Sequence, residues 1–231
     1  MKNILILSAL ILITGCSTSR GFNRDALREQ LTGNSTVTDI NENKVPTSKI
    51  QLPKPFKVGI YFQEPSNKGE EKLWDWADSD KKKILSTVDK FKRGGEISKA
   101  FVISPSITSS TDLKSIKAAA AQQGADALII VSAVNDVDQY TTQWAWTYVA
   151  LFPALFVPAS VSDILFISRA AMYDVRKEFL YLTAESEVLV NRKYPAVFRQ
   201  DKKATEDAKN DSLNGLQEEL EKRLNNLSSQ R

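Results

Sequence analysis

Histidine is absent from this 231-residue sequence, and cysteine occurs only once. Without histidine the chain lacks the commonest general base, the commonest metal ligand and the usual activator of a serine or cysteine nucleophile. The glycine spacings of phosphate-binding loops and of the Gly-x-Ser-x-Gly nucleophile turn are absent too. Only carboxylate chemistry remains, so we expect that the protein is not an enzyme and binds no cofactor.

Aspartates form the two carboxylate clusters that could carry such chemistry. Asp136 and Asp138 are two residues apart and would share one face of a strand. Asp75, Asp78 and Asp80 cluster near the start of a predicted helix. Carboxylate pairs can hold Ca²⁺ or act as acid and base. In a chain with 28 acidic residues, however, close pairs arise by chance, and we expect no metal site.

The single cysteine, Cys16, follows a short apolar run. The run, Ile4–Ile13, is ten residues long; a membrane-spanning helix needs about 20, whereas this length is typical of a signal-peptide core. The next residues, ITGC ending at Cys16, resemble the bacterial lipobox. That resemblance implies cleavage before Cys16, followed by acylation of its thiol and its new amine. The alternative is an ordinary secretory signal that ends near a cysteine by coincidence.

A lone cysteine excludes a disulfide within the chain. It suits lipid attachment, because several acyl chains, each contributing about 0.8 kcal/mol per buried CH₂, anchor a protein firmly. Cleavage would leave 231 − 15 = 216 residues with 30 basic and 28 acidic side chains, a net charge of +2. That charge predicts no nucleic-acid partner. Ser17 after the cysteine resembles the sorting pattern of outer-membrane lipoproteins, so we expect an outer-membrane anchor with the domain mainly on the periplasmic side.

Apolar periodicity predicts a single α/β domain over residues 56–200. A β-α-β-α-β unit comes first and antiparallel hairpins follow, which together favour a mixed sheet. Residues 16–55 would hold the lipidated cysteine, a short helix between Asn23 and Gly33, and a flexible tether. Residues 201–231 would form an amphipathic helix with leucines on one face. We expect this helix to dock on its own domain, with pairing to another protomer as the alternative.

Individual elements follow from the same patterns. Trp74 to Phe91 has apolar residues at helical spacing, and Thr111 would cap a second helix that ends at Gly124. The predicted strands are Phe56–Phe62, Ala100–Ile103, Ala127–Val131, Ile164–Tyr173 and Phe179–Val190.

Three motifs are similar to those of the rhombotarget-type bacterial lipoproteins. They are the run LPKPFKVGIYF over Leu52–Phe62, the Gly-Ala-Asp join at residues 124–126, and AAMYDV over Ala170–Val175. More distantly, the helix–GAD–strand order resembles the periplasmic α/β domains of the curli-secretion lipoprotein and of the TolB N-terminal region. The resemblance implies envelope assembly and protein–protein contact, and it carries no catalytic residue onto this chain.

Residues 144–159 are uncharged and rich in aromatic side chains. Three interpretations stay open for this segment: a hairpin packed into the core, an exposed flap that meets a partner or a second copy, and insertion into the membrane, either as a loop tip or within a multi-chain β-barrel. The candidate contact residues are Trp144, Trp146, Tyr148, Phe152 and Phe156.

These observations predict a lipid-anchored, non-catalytic envelope protein. Its partners would be the bilayer, through acylated Cys16, and another envelope protein, with self-association as a further option. An alternative is a subunit of an oligomeric outer-membrane pore or secretion assembly that uses residues 144–166 as a membrane-contacting hairpin.

Overall fold

A computed structural model describes residues 18–33, 52–65, 72–141, 160–194 and 201–229. They form an α/β domain with one five-stranded mixed sheet in the order β2-β1-β3-β4-β5. In chain order the elements are α1 (Arg24–Gly33), β1 (Phe56–Phe62), α2 (Asp78–Asp89), β2 (Ile97–Ile103), α3 (Leu113–Gln122), β3 (Ala127–Thr141), β4 (Ser160–Asp174), β5 (Leu180–Tyr194) and α4 (Asp201–Ser229). The predicted fold class is confirmed.

The sheet is half parallel and half antiparallel. β1 runs parallel to both β2 and β3, whereas β3, β4 and β5 form antiparallel pairs. β3, β4 and β5 have 15 residues each and β1 has seven. The long strands therefore extend well past β1, because each residue adds about 3.3 Å. We call the end with Thr141, Ser160 and Tyr194 the distal end and the end with Asp174 and Leu180 the turn end.

One face of the sheet is covered by α2 and α4. The leucines of α4 are buried where this helix packs on β4 and β5, and Ile84 and Val88 of α2 are buried in the same core. The prediction that the C-terminal helix docks on its own domain is confirmed. The α4 leucines concerned are Leu213, Leu216, Leu220, Leu224 and Leu227.

The opposite face carries α3 and α1. Ile116 and Ala120 of α3 pack on Tyr61 and Leu128 near the turn end. Asp112 caps α3 by accepting a hydrogen bond from the Ser115 amide, so the predicted cap at Thr111 is wrong by one residue. α1 lies further toward the distal end.

Trp74 precedes α2 instead of belonging to it, which corrects the predicted helix start. α2 begins at Asp78, and the Asp80 carboxylate accepts the Ala77 amide at 2.9 Å. Trp74 and Trp76 lie in the non-helical stretch before that cap, and both are buried. The Trp74 ring packs edge-on against Phe166, with 5.0 Å between centroids. Two large rings of this size bury enough apolar surface to hold the chain on the sheet without a helix.

Among the described helices, none combines the length and the apolar character needed to cross a membrane.

Candidate functional site

The residues predicted to carry function, Cys16 and the five aromatic residues between Trp144 and Phe156, lie outside the described residues. The structure does describe their neighbours in the chain. Thr141 pairs with Ser160 at the distal end of the β3–β4 hairpin. Thr18, two residues after Cys16, begins the first described segment. The candidate site is therefore built from the distal end of the sheet and the segment that packs beside it.

Acidic side chains line the α1 face of the distal half of the sheet. Side chains alternate between the faces of a strand, so Asp136 and Asp138 of β3 point to the same face, as predicted. Asp163 of β4 lies opposite Asp138 in the register. Glu185 and Glu187 of β5 continue the same face. Carboxylates directly opposite each other repel, so this surface requires cationic or hydrogen-bonding partners.

Residues 19–33, which we call the N-terminal strap, supply those partners. The Ser19 hydroxyl donates to Asp138 Oδ2 at 2.5 Å, and the Gly21 amide donates to the same oxygen at 3.0 Å. The Arg20 guanidinium donates to Asp136 Oδ1 and to the Val137 carbonyl. Gly21 has a φ of 70°, a left-handed conformation that glycine adopts at no steric cost.

The helix of the strap extends the charge pairing onto β5. The Asn23 carboxamide caps α1 by accepting the Ala26 amide at 3.0 Å, as the predicted helix start requires. Arg24 pairs with Glu187 at 2.6 Å. Arg28, one turn later, pairs with Glu185 at 2.7 Å and with Glu187 at 2.9 Å. Residues four apart share a helix face, so both guanidinium groups reach the acidic strand.

Apolar contacts hold the strap beneath those charges. Leu27 and Leu31 are buried against Leu165 and Ile167 of β4, and Phe22 packs beside them. Burying one leucine side chain stabilises by about 1.5–3 kcal/mol. α1 is thus part of the folded domain, and residues 34–51 connect two elements of that domain. The division of the chain at residue 55 stays a prediction, but α1 lies on the domain side of this connection.

Asp138 is the most enclosed carboxylate of the face, with a side chain 3% exposed. Burial alone would raise its pKa, but the hydrogen bonds from Ser19, Gly21 and Arg20 and the charge of Arg20 together lower it. Asp163, its neighbour, accepts hydrogen bonds from the Tyr140 hydroxyl at 3.2 Å and from the Asn191 carboxamide. Burial, followed by the Asp163 charge, raises the pKa of Tyr140.

These contacts bear on the proposed carboxylate chemistry. The strap occupies acceptor positions of Asp136 and Asp138 that a cation would need. The residues given in the structure contain no group of three or more acidic, histidine or cysteine side chains arranged to hold a metal ion. The second predicted cluster does not converge either. Asp75 pairs with Lys72 at the surface, whereas Asp80 is buried against Lys209.

Sequence reasoning missed the strap, although two signals for it are present. Arg20, Arg24 and Arg28 recur every fourth residue, beside the apolar pair Leu27 and Leu31. The acidic residues recur every second residue in β3 and again in β5. Each pattern is common by itself, and only the register of the strands aligns the two.

No family model and no curated protein matches the chain. Solved structures with similarity to it include the PelC dodecamer from Paraburkholderia phytofirmans, at 13% identity and a TM-score of 0.32 over 74% of this chain and 94% of that one. Protein XCC0632 from Xanthomonas campestris is 12% identical, with a TM-score of 0.36 over 80% and 92%. Lipoprotein GNA1162 from Neisseria meningitidis is 9% identical, with a TM-score of 0.31 over 67% and 94%. All three TM-scores lie below 0.5, so these similarities assign neither a family nor a function to this chain.

Proposed function

We propose that this chain is a lipid-anchored protein of the bacterial outer membrane that acts by docking an envelope protein and not by catalysis. Acylated Cys16 would hold it in the periplasmic leaflet. The aromatic residues between Trp144 and Phe156 would form the contact surface. The lipobox resemblance of ITGC supports the anchor, and the absence of histidine supports a non-catalytic role.

One observation carries the assignment of the contact surface. β3 and β4 remain paired as far as Thr141 and Ser160, so the 18 residues between them leave and re-enter the sheet at one point. An uncharged, aromatic sequence that links two long paired strands at the end of the sheet is a suitable contact surface for another molecule.

In the alternative of a membrane pore, fewer residues are available for contact with lipid than the sequence suggested. It assigned residues 144–166 to a membrane-contacting hairpin, but residues from Ser160 onward lie in β4. Within that part, Ile164, Leu165 and Phe166 are 0% exposed because the helices and Trp74 cover them. Residues 164–166 are therefore not available for contact with lipid.

Two measurements test the proposal. Metabolic labelling with palmitate should mark the wild-type protein and not Cys16→Ser, which should also leave the membrane fraction. A photo-crosslinking amino acid at position 146 or 152 should then give a protein adduct of defined mass, whereas the same group at exposed Lys82 should not. Adducts with lipid alone, or equal adducts at all three positions, would contradict protein docking. Light scattering of the detergent-extracted protein distinguishes an adduct with a second copy from one with a partner.

A further inference from the structure

The N-terminal strap determines where the anchor lies relative to the sheet. Cys16 is three residues before Ser19, and an extended chain spans at most about 3.6 Å per residue. The Cys16 backbone therefore lies within about 11 Å of Ser19. Ser19 is itself hydrogen-bonded to Asp138, so the distance from the anchor to either end of the sheet can be counted in residues along β3.

Asp138 lies close to one end of that strand. Three residues separate it from Thr141 at the distal end, which is about 10 Å along the strand. Eleven residues separate it from Ala127 at the turn end, or about 36 Å. The short chain before Ser19 can place an acylated cysteine level with the distal end of the sheet, but it is too short to place that cysteine level with the turn end.

We infer that the strap orients the domain end-on, with the distal end of the sheet against the bilayer and the turn end directed away from it. This inference rests on the proposed lipid anchor at Cys16 and adds that the distal end meets its protein partner at the bilayer surface. The strap is fixed at several separate points: Ser19 and Arg20 on β3, Arg24 and Arg28 on β5, and the leucines of α1 on β4. Contacts with three strands prevent the strap from pivoting.

In this arrangement the long tether expected from the sequence does not lie between the lipid and the folded domain. Residues 34–51 follow α1, and α1 is already packed on the sheet, so these residues do not separate the domain from the membrane. The connection between the lipid and the folded protein is only the few residues from Cys16 to Thr18. An orientation set by so short a connection should be lost when the connection is lengthened.

The experiment places a fluorophore on an introduced cysteine, because the only native cysteine is the lipidated one. Lys193 lies opposite Val161, one residue from the distal end, and is exposed. Arg176 is exposed just beyond Asp174 at the turn end, about 43 Å further along β4. Lipidated full-length Lys193→Cys and Arg176→Cys are labelled and reconstituted in phosphatidylethanolamine/phosphatidylglycerol vesicles that contain a headgroup-bound spin label as quencher.

Two insertions of the same flexible Gly/Ser segment of about 20 residues serve as variant and control. Such a segment has a root-mean-square span of about 25 Å. Inserted after Ser17, it lengthens the connection between lipid and strap. Inserted after Asn43, it lengthens only the link between α1 and β1. Neither insertion changes a described residue, so both chains keep the folded domain.

We expect the label at residue 193 to be quenched strongly and the label at residue 176 to be quenched little. The insertion after Ser17 should reduce this difference at least several-fold, and the insertion after Asn43 should leave it unchanged. Equal quenching at the two positions in the unmodified chain, or loss of the difference only with the insertion after Asn43, would overturn the end-on orientation. A chain that takes up no palmitate and does not bind vesicles would overturn the proposed anchor and this inference together. An anchored chain with equal or reversed quenching would overturn the orientation alone.

Discussion

Replacing Lys209 with methionine should destabilise the domain by about 3–5 kcal/mol, the range found when one partner of a buried ion pair is removed. The Lys209 side chain is only 2% exposed, as is that of Asp80. Its ammonium group donates to Asp80 Oδ2 at 2.9 Å, to Glu206 Oε2 at 2.6 Å and to the Asp75 carbonyl at 2.8 Å. Methionine fills a similar volume, so the loss is electrostatic: Asp80 is left as a buried carboxylate without its cation.

A double-mutant cycle separates this effect from a packing defect. Asp80→Asn keeps an acceptor for the Ala77 amide and removes the charge, so it should destabilise by about 1–3 kcal/mol. The pair Lys209→Met/Asp80→Asn leaves no buried charge at position 80. It should be more stable than the sum of the single effects predicts, by at least about 1 kcal/mol. Urea unfolding at pH 7 can be followed by tryptophan fluorescence, because Trp74 and Trp76 are buried on either side of Asp75, whose carbonyl accepts a hydrogen bond from Lys209.

The pH dependence of the stability difference between wild type and Lys209→Met tests the ion-pair account further. Burial lowers the pKa of Lys209, but the hydrogen bonds and charges of Glu206 and Asp80 outweigh burial and raise it. A raised lysine pKa gives stability that is complete below the ordinary value, about 10.4, and is lost as the pH rises through the folded-state value. The gap between wild type and Lys209→Met should therefore stay constant from pH 7 to 9 and narrow above about 10.4. A gap that closes between pH 7 and 9, or strict additivity in the cycle, would refute the ion-pair account.

Two further predictions concern the α4 contact and the strap. Gly215→Ala should destabilise the domain by about 1–3 kcal/mol in urea unfolding, although alanine has the better helix propensity, because an added Cβ would overlap Ser186. In a Ser186→Gly background the same substitution should be neutral or should stabilise the domain by up to about 1 kcal/mol. The Gly21 amide NMR signal should keep its hydrogen-bonded shift from pH 8 to 5 and lose it only as the pH falls below the ordinary aspartate range, because the pKa of Asp138 is lowered in the folded protein. Loss of that signal near pH 6 would contradict the assigned contacts, and Asp138→Asn should abolish its titration.

The succession of strands and helices was accessible from the sequence because its determinants are local. Ala127–Val131 is a continuous apolar run, typical of a strand covered on both faces, and all five residues are buried in the structure. Gly124 ends the preceding helix with a φ of 76°, which only glycine adopts readily. The buried stripe of leucines in α4 could be predicted equally well, since helical spacing alone defines the buried face.

The start of α2 was not accessible, because two patterns coincide there. Trp74 and Ala77 fall at helical spacing with Ile84, but Trp74 and Trp76 also alternate as an extended chain does. The structure resolves the conflict through partners far away in sequence: the Trp74 indole donates to Asn135 at 2.8 Å, and the Trp76 indole donates to the Gln63 carbonyl at 2.6 Å. Buried indole N–H groups require such acceptors, and no local pattern identifies them.

Docking of the strap was hidden for the same reason, since its ion pairs join residues more than 100 positions apart. The geometry also shows which force dominates. The side chains of Arg20, Arg24 and Arg28 are 62%, 44% and 42% exposed, and such surface pairs contribute only about 0–1 kcal/mol each.

Leu27 and Leu31, 6% and 5% exposed, supply about 1.5–3 kcal/mol each, so the leucines provide most of the binding energy and the charges select the register. Raising the ionic strength to about 1 M with a sulfate salt shortens the screening length to about 3 Å and strengthens apolar burial at the same time. The strap should therefore remain docked in high salt, and hydrogen exchange of the α1 amides should show undiminished protection. Leu31→Ala should abolish that protection at any ionic strength, whereas exchange that accelerates with salt in the wild-type protein would mean that the arginines, and not the leucines, hold the strap in place.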